Sequence, residues 1–349
     1  MNKNEIGLDG IEFVEFTSPQ AKNLHTLFSQ FGFTQTKQHA KQAVSLYQQG
    51  EINLLINQQA GSFAEGFSRS HGPSLSSMGW RVKNARHAWE LACKRGAKNG
   101  ERHDYRYADP QRPLYGIEGI GGSLIYFIDD YSRGDLYEQF GFVPAPPPQQ
   151  AINPLGFIGI DHLTNNVCQG ELMQWSRFYQ DVFEFTEVRY FDIRGVQTGL
   201  LSYALRSPCG KFCIPINEGS EEKSQINEFL RDYQGPGIQH LAFTTTDIVA
   251  TVSALHQRGI HTLQIDHDYY AEVFKRVPKV SESHQRLEEL QILVDGDEQG
   301  YILQIFTKNL IGPIFIEIIQ RKNHNSFGEG NFGALFRAIE RDQEERGVL

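Results

Sequence analysis

The chain has 349 residues, of which 40% are hydrophobic and 21% charged, and its formal net charge is -9 at pH 7. This length suffices for two domains with buried cores, and the composition is typical of a soluble globular protein. A negative net charge without blocks of lysine and arginine argues against nucleic acid or an anionic membrane as a partner. We therefore expect small molecules or other proteins as partners.

The start of the chain and the lengths of its apolar runs predict a cytoplasmic protein. The opening residues, MNKNEIGLDGIEF, lack the charged, apolar and small-residue regions of a secretory signal, and no apolar run is long enough to span a bilayer. The cysteines are too few and too scattered for a disulfide framework. Cys209 and Cys213 have no second Cys or His pair at zinc spacing, so we expect them to be free thiols.

A pattern that recurs four times organises the chain. Each copy opens with a strand pattern, continues with an amphipathic helix and a glycine, and ends in several strand-like runs. The opening strands are GIEFVEFTS, SLSSMGWRV, GIDHLTNNV and GIQHLAFTT, at residues 10–18, 74–82, 159–167 and 237–245. The predicted helices follow at residues 21–33, 85–97, 171–185 and 248–260. The repetition predicts an α+β fold built from four βαβββ modules.

The segment VPAPPPQQ, residues 143–150, is the clearest boundary between the second and third copies. Consecutive prolines favour an extended polyproline conformation and cannot continue a helix or a central strand. We therefore predict an N-terminal domain of two modules at residues 1–150 and a C-terminal domain of two modules at residues 151–349.

Two histidines distinguish the C-terminal copies from the N-terminal ones. His162 in GIDHL and His240 in GIQHL occupy matching positions, where the first and second copies have Phe13 and Ser77. A lone histidine on an apolar strand is more often a hydrogen-bonded core residue than a metal ligand. A histidine that the fold required should nevertheless occur in all four copies, so the asymmetry indicates a function confined to the C-terminal half.

A third residue, Glu317, lies in the apolar run GPIFIEIIQR, which predicts a buried strand with Phe315 and Ile319 on the same face. A buried carboxylate needs a cation or is protonated, and an arginine or lysine would be the ordinary partner. Together with His162 and His240, however, Glu317 completes the ligand set of non-haem Fe(II) sites with open positions for substrate and oxygen. The same ligands also hold catalytic zinc, and local spacing does not separate the two metals.

These motifs resemble, over almost the whole chain, the 4-hydroxyphenylpyruvate dioxygenase family of the vicinal-oxygen-chelate superfamily. The similarity is most specific in GIDHLTNNV, GIQHLAF, LQIFTK, IFIEIIQR and FGEGNFGALFRAIERDQ, in this order. It implies two open, barrel-like domains of vicinal-oxygen-chelate type, and one Fe(II) per subunit bound by His162, His240 and Glu317. The implied reaction converts 4-hydroxyphenylpyruvate and O2 to homogentisate and CO2 by oxidative decarboxylation, ring hydroxylation and side-chain migration, in tyrosine and phenylalanine catabolism.

The resemblance also implies a set of polar catalytic residues in the substrate pocket: Ser202, Asn217, Gln225, Gln239 and Gln304. Gln304 is the best supported by the sequence itself, because an amide within an apolar strand needs a hydrogen-bond partner. Each of the others also has an ordinary structural explanation, in a strand, a turn or a solvated helix. Simple alternation places Gln239 and His240 on opposite faces of their strand, so their sharing one pocket depends on the resemblance.

The residues implied to surround the substrate ring are Phe306, Phe315, Phe327, Phe332 and Asn331. Core packing explains Phe306 and Phe315 equally well from sequence alone. Near the C-terminus an apolar helix face is formed by Phe332, Leu335, Phe336 and Ile339. Asn331 is predicted to cap this helix, and the preceding GEG offers backbone freedom. The helix either packs on the barrel surface or, as the resemblance implies, forms a lid that excludes water from the metal site.

The motifs leave three alternative functions open. A 4-hydroxymandelate synthase would use the same metal and substrate but hydroxylate the benzylic carbon, and Asn217 and Phe306 favour the dioxygenase. An extradiol ring-cleaving dioxygenase shares fold and ligands but typically places a further histidine near the metal. A metal-free binding protein would not require all three ligands. The resemblance further implies a homo-oligomer, dimer or tetramer, assembled through the N-terminal half.

Overall fold

The computed structural model describes residues 3–100, 103–148 and 151–349. Within these residues the protein forms two eight-stranded sheets with helices packed around them. The predicted α+β fold is confirmed. No helix in the described ranges is both long and apolar enough to cross a membrane.

The strands of the N-terminal sheet are β1 (Leu8–Thr17), β2 (Thr34–His39), β3 (Val44–Gln49), β4 (Ile52–Asn57), β5 (Ser74–Val82), β6 (Tyr115–Glu118), β7 (Leu124–Ile128) and β8 (Phe142–Pro144). The sheet has the strand order β6-β7-β5-β1-β4-β3-β2-β8. Its helices are α1 (Lys22–Gln30), α2 (Phe63–His71), α3 (Ala85–Lys94) and α4 (Leu136–Gln139).

The strands of the C-terminal sheet are β9 (Phe157–Val167), β10 (Thr186–Arg194), β11 (Gly199–Arg206), β12 (Cys213–Gly219), β13 (Gly237–Thr245), β14 (Leu293–Gly296), β15 (Tyr301–Phe306) and β16 (Phe315–Lys322). The sheet has the strand order β10-β11-β12-β9-β13-β16-β15-β14. Its helices are α5 (Leu172–Phe183), α6 (Gln225–Tyr233), α7 (Ile248–Gln257), α8 (His267–Arg276), α9 (His284–Glu289) and α10 (Phe332–Glu345).

Both sheets are assembled by the same rule, which follows from the repeated modules. The opening strands of two modules pair antiparallel at the centre, β1 with β5 and β9 with β13. The last strand of each module then lies parallel to its opening strand, as β4 does to β1 and β16 does to β13. The second module departs from the pattern, because its first strand after the helix is reduced to a single bridge between Asn99 and Ile117.

The proline-rich segment lies between the two sheets. Its first residues, Val143 and Pro144, belong to β8, which among the described strands pairs only with β2 at the sheet edge, where a proline costs no ladder hydrogen bond. Gln149 and Gln150, the last two residues of this segment, lie outside the described residues. The second sheet begins at Phe157, after the segment.

Aromatic side chains connect the two halves. The ring of Phe157 in β9 stacks on Phe31 and Phe33 of the first module, with centroids 6.1 and 6.3 Å apart. Trp80 of β5 is fully buried and packs edge-on against Phe183 of α5, with ring centroids 4.9 Å apart. The halves therefore share a continuous apolar core.

The interior of the N-terminal sheet is filled by aromatic rings where the C-terminal sheet carries its histidines. A Cβ atom on Gly79 would lie 2.5 Å from the ring of Phe13, so this ring occupies the interior directly against β5. Tyr126 packs beside it, with ring centroids 6.2 Å apart. Gly79 pairs with Tyr126 as Ala242 pairs with Glu317. Tyr126 therefore holds the register position of Glu317 in the other half.

Candidate metal centre and substrate pocket

Three side chains converge at the centre of the C-terminal sheet. His162, His240 and Glu317 come from the adjacent strands β9, β13 and β16, and one donor atom of each lies within 4.8 Å of the others. The register explains this convergence: Ala242 pairs with His162 on one side and with Glu317 on the other. Among the residues that the structure describes, this is the one group of three or more His, Cys, Asp and Glu side chains so arranged.

The distances within this cluster are short. His162 Nε2 lies 3.0 Å from Glu317 Oε2 and 3.3 Å from His240 Nε2. His240 Nε2 lies 3.5 Å from the same carboxylate oxygen. In the described ranges the ion pairs of Glu317 involve only these two histidines, so the alternative of an arginine or lysine partner is not realised.

The electrostatics of the cluster favour a buried positive charge. Burial lowers the pKa of His162, but the carboxylates of Glu317 and Asp161 outweigh it and raise this pKa to about 9. Burial raises the pKa of Glu317, but the two histidines outweigh it and bring this pKa down to about 2. Burial also lowers the pKa of His240, which stays neutral beside protonated His162. A cation bound here would take the place of the His162 proton.

The donor set fits a divalent transition metal. Two imidazole nitrogens and one carboxylate oxygen are ligands of iron and zinc, whereas magnesium and calcium prefer oxygen alone. The other ring nitrogen of each histidine already has a partner: His162 Nδ1 lies 2.9 Å from Asp161 Oδ1, and His240 Nδ1 lies 3.3 Å from Gln239 Oε1. Both Nε2 atoms therefore face the interior, as metal ligation requires.

Gln239 and His240 reach the same pocket because of a β-bulge. The ladder between β9 and β13 shifts register between Ile238 and His240, which leaves Gln239 as the extra residue. The expectation from simple alternation was therefore wrong, since both side chains line one pocket. Gln239 Nε2 also donates to Gln225 Oε1, 3.3 Å away, at the start of α6.

The pocket beside the metal ligands has a volume of about 660 Å³, part of it open to solvent. Strands β9 to β13, β15 and β16 all contribute side chains to its wall, so the sheet curls around it. Of the residues assigned to the substrate, those in the lining are Ser202, Asn217, Gln225, Gln239, Gln304, Phe306, Phe315, Phe327 and Phe332. A pocket of this size, largely apolar with a few polar groups, suits a small aromatic ligand.

Two aromatic rings lie directly against the histidines. Phe315 stacks on the imidazole of His240, with ring centroids 4.6 Å apart and an angle of 18° between the planes. The ring of Phe327 lies 5.6 Å from that of His162. A planar ligand next to the metal ligands would therefore contact aromatic faces and edges.

Two family models and several full-length relatives match this chain. The model described as "Hydroxyphenylpyruvate dioxygenase, HPPD, N-terminal" covers residues 2–142, and the "Glyoxalase/Bleomycin resistance protein/Dioxygenase superfamily" model covers residues 159–276. Protein MelA of Shewanella colwelliana is 52% identical over 99% of both chains. A 4-hydroxyphenylpyruvate dioxygenase of Pseudomonas aeruginosa is 46% identical over 99% of this chain and 97% of its own. The chain belongs to the 4-hydroxyphenylpyruvate dioxygenase family.

Membership confirms the predictions that the chain resembles this family and is a dioxygenase, an oxidoreductase. A solved structure of a 4-hydroxymandelate synthase variant from Streptomyces coelicolor has the same fold. It matches with a TM-score of 0.80 and 23% identity, over 96% of this chain and 99% of that one. At this level of identity the similarity shows a common fold and does not assign an activity.

Gln304 has the buried partner that its sequence context predicts. Its Nε2 donates to Glu317 Oε1 at 2.9 Å and to the carbonyl oxygen of Phe327 at 3.2 Å. Its Oε1 accepts a hydrogen bond from Asn331 Nδ2 at 2.9 Å. Since both amide hydrogens are used, Gln304 holds the carboxylate of Glu317 in this dioxygenase-family site.

Asn331 does not cap the C-terminal helix, and this prediction was wrong. It has helical backbone angles, and its side chain makes no capping hydrogen bond. Its amide instead donates to Gln304, and its oxygen accepts from the hydroxyl of Tyr269 at 2.6 Å. Asn331 is buried behind Gln304 and does not belong to the pocket lining.

The C-terminal helix α10 covers the pocket with its predicted apolar face, formed by Phe332, Leu335, Phe336 and Ile339. Glu340 fixes the helix on the sheet, because its carboxylate accepts hydrogen bonds from the backbone amides of Val196, Gln197 and Thr198 at 2.9 to 3.0 Å. These residues form the turn between β10 and β11, so α10 is attached to two strands of the pocket wall.

Several residues that line the pocket were not predicted from the sequence. Thr164 lies two residues after His162 on the same strand face, so period-two alternation could have found it. Phe191, Ile193, Leu200, Ala204 and Pro215 also line the pocket. They carry no local signal, because only the pairing of β10, β11 and β12 brings them to the interior.

Proposed function

We propose that the protein binds one Fe(II) per subunit through His162, His240 and Glu317 and converts 4-hydroxyphenylpyruvate and O2 to homogentisate and CO2. The observation that carries this proposal is the buried set of two histidines and a glutamate open to an aromatic pocket. The names of the family relatives support the same substrate. When bound, Fe(II) supplies open coordination positions for a keto acid and for O2, together with the redox chemistry that O2 requires.

The charged residues of the pocket lining favour a keto acid whose carboxylate binds to the metal. Among the described lining residues there is no lysine or arginine. A substrate carboxylate inside this pocket would therefore have no cationic side chain to compensate its charge. The double charge of Fe(II) balances Glu317 and one substrate carboxylate, so the complete site is neutral.

The protein's own residues position the ring and exclude water. The rings of Phe315 and Phe327 lie beside the histidines and orient an aromatic substrate by edge and face contacts. Ser202 and Asn217 pair across β11 and β12 on the same face and offer neutral hydrogen-bonding groups to the substrate's polar atoms. Helix α10 acts as the lid, and its apolar face displaces water from the reacting atoms.

Product identification tests this function directly. The iron-loaded protein, given 4-hydroxyphenylpyruvate and O2, is expected to form homogentisate, as resolved by chromatography and mass spectrometry. Formation of 4-hydroxymandelate would overturn the assignment in favour of the synthase. A His162→Ala variant is the control, because it removes one ligand from the metal and is expected to form no product.

The histidines of the pocket lining argue against an extradiol ring-cleaving enzyme. Within the described part of the pocket lining the histidines are His162 and His240, both used as ligands, so no further histidine offers acid–base catalysis. Turnover of a catechol by the iron-loaded protein would contradict this argument. Element analysis of the purified protein distinguishes iron from zinc.

We also propose that residues 1–150 and residues 151–349 form two domains with different roles. The aromatic filling of the N-terminal interior by Phe13 and Tyr126 supports a structural and oligomerisation role for the first domain. The expected assembly is a dimer or tetramer in the cytoplasm. Light scattering coupled to size-exclusion chromatography measures the mass, and a monomer would overturn this part of the proposal.

A further inference from the structure

The residue before the first metal ligand, Asp161, contacts that ligand directly. Its Oδ1 accepts the hydrogen bond from His162 Nδ1 at 2.9 Å, and its side chain is 14% exposed. A carboxylate at this position fixes the orientation of the ring and keeps the hydrogen on Nδ1, which leaves Nε2 free as the ligand atom.

Arg321 in turn fixes Asp161. Its Nε donates to Asp161 Oδ2 at 2.7 Å and its Nη2 donates to Asp161 Oδ1 at 2.9 Å, which is a bidentate pair. The two residues are 160 positions apart in the chain, and the guanidinium is largely buried, with 19% of its side chain exposed. The carboxylate can therefore hardly turn away from His162.

The same guanidinium holds the segment that leads to the lid helix, residues 323–331. Arg321 Nη1 donates to the carbonyl oxygen of Ser326 at 2.6 Å and to that of His324 at 3.3 Å. Phe327, the residue after Ser326, lines the pocket. Its carbonyl oxygen accepts a hydrogen bond from Gln304, which also donates to Glu317. Two metal ligands are thus connected by hydrogen bonds to one short segment.

We propose that Asp161 and Arg321 are positioning residues that set the metal affinity of this centre and couple it to the seating of residues 323–331. The inference rests on the metal site of the proposed function. Metal binding requires the His162 ring in one orientation, and the segment that carries Phe327 and leads into α10 has to be seated for Arg321 to hold that orientation. Seating of the lid segment and metal binding therefore stabilise each other.

The N-terminal half offers a matched control pair. When GIEF is aligned with GIDH, Glu12 occupies the position of Asp161 and Phe13 that of His162. Glu12 also forms a largely buried pair with an arginine, since Arg81 Nε lies 2.7 Å from its Oε2, with side-chain exposures of 21% and 5%. This pair has comparable chemistry and burial but no metal ligand beside it.

The test measures the affinity of the metal-free protein for Co²⁺ by competition with a chelator. Asp161→Asn should bind Co²⁺ about 10- to 100-fold more weakly, because an amide nitrogen in place of Oδ2 cannot accept the hydrogen bond from Arg321 Nε, which breaks the bidentate pair that orients the side chain toward His162. Glu12→Gln, the control, should keep the wild-type affinity. Hydrogen exchange should be faster in residues 324–331 of Arg321→Met and unchanged there in Arg81→Met.

Each outcome decides the matter. Equal Co²⁺ affinity of wild type and Asp161→Asn, or an equal loss in Glu12→Gln, overturns the inference while the proposed metal site stands. A wild-type protein that binds no Co²⁺ overturns the metal site and the inference together. If Asp161→Asn does not fold, Arg321→Lys decides instead, because it keeps the charge but cannot form the bidentate pair. Unchanged affinity in that variant overturns the inference.

Discussion

Glu15 in β1 is a carboxylate buried in the interior of the N-terminal sheet. Unlike Glu317, it forms no ion pair with a cationic side chain among the described residues. Its side chain accepts hydrogen bonds from the hydroxyls of Tyr105 and Ser76 and from the amide of Asn57. Burial, followed by repulsion from Asp104, raises the pKa of Glu15 from 4.5 to about 7, although the hydrogen bonds act in the opposite direction. The group is therefore protonated in the folded protein at mildly acid pH.

This shift predicts how stability changes with pH. A carboxyl group with a raised pKa in the folded state contributes its full stability below the unfolded value, and the contribution is lost as pH rises through about 7. The difference between the two pKa values corresponds to about 3 kcal/mol of unfolding free energy. Glu15→Gln removes the ionisation, so its stability relative to wild type should increase by about this amount between pH 4.5 and pH 8.5.

Urea unfolding of wild type and Glu15→Gln, followed by circular dichroism across this pH range, measures the difference. Comparison of the two proteins cancels the contribution of the titrating groups that do not interact with Glu15. Glu51→Gln is the control, since Glu51 is exposed and its replacement should leave the pH dependence unchanged. Parallel pH profiles for wild type and Glu15→Gln would refute the reasoning.

Three further predictions concern the C-terminal half. Glu317→Gln should lower Fe(II) affinity by more than about 100-fold, measured by chelator competition, because it replaces the anionic ligand of the metal with a neutral amide. Gly328→Ala should lower stability by more than about 1 kcal/mol in thermal unfolding, since Gly328 has φ +76° and an added Cβ would lie 1.8 Å from Gln304 Oε1. Glu340→Gln should accelerate amide exchange at Thr198 and raise the substrate KM severalfold, because an amide cannot accept all the hydrogen bonds of the carboxylate. Unchanged exchange in that variant would contradict the role of Glu340 in attaching α10 to the β10–β11 turn.

Much of the architecture follows from short-range patterns in the sequence. The strand over Ser74–Val82 coincides with the pattern SLSSMGWRV, because alternation and helical periodicity are properties of neighbouring residues. Comparison of the repeated copies singled out His162 and His240, and the cost of burying a charge singled out Glu317. Repetition and desolvation need no knowledge of the tertiary structure.

The remaining features depended on which strands pair and in what register. Gln239 shares a pocket with His240 only because a bulge in β13 interrupts the alternation. The Asn331 side chain does not cap α10, because it forms hydrogen bonds with Gln304 and Tyr269 instead. Arg321 meets Asp161 across 160 residues of chain. Local sequence does not encode such contacts one by one, since they arise when the curled sheet brings distant side chains together and each buried polar group must find a partner.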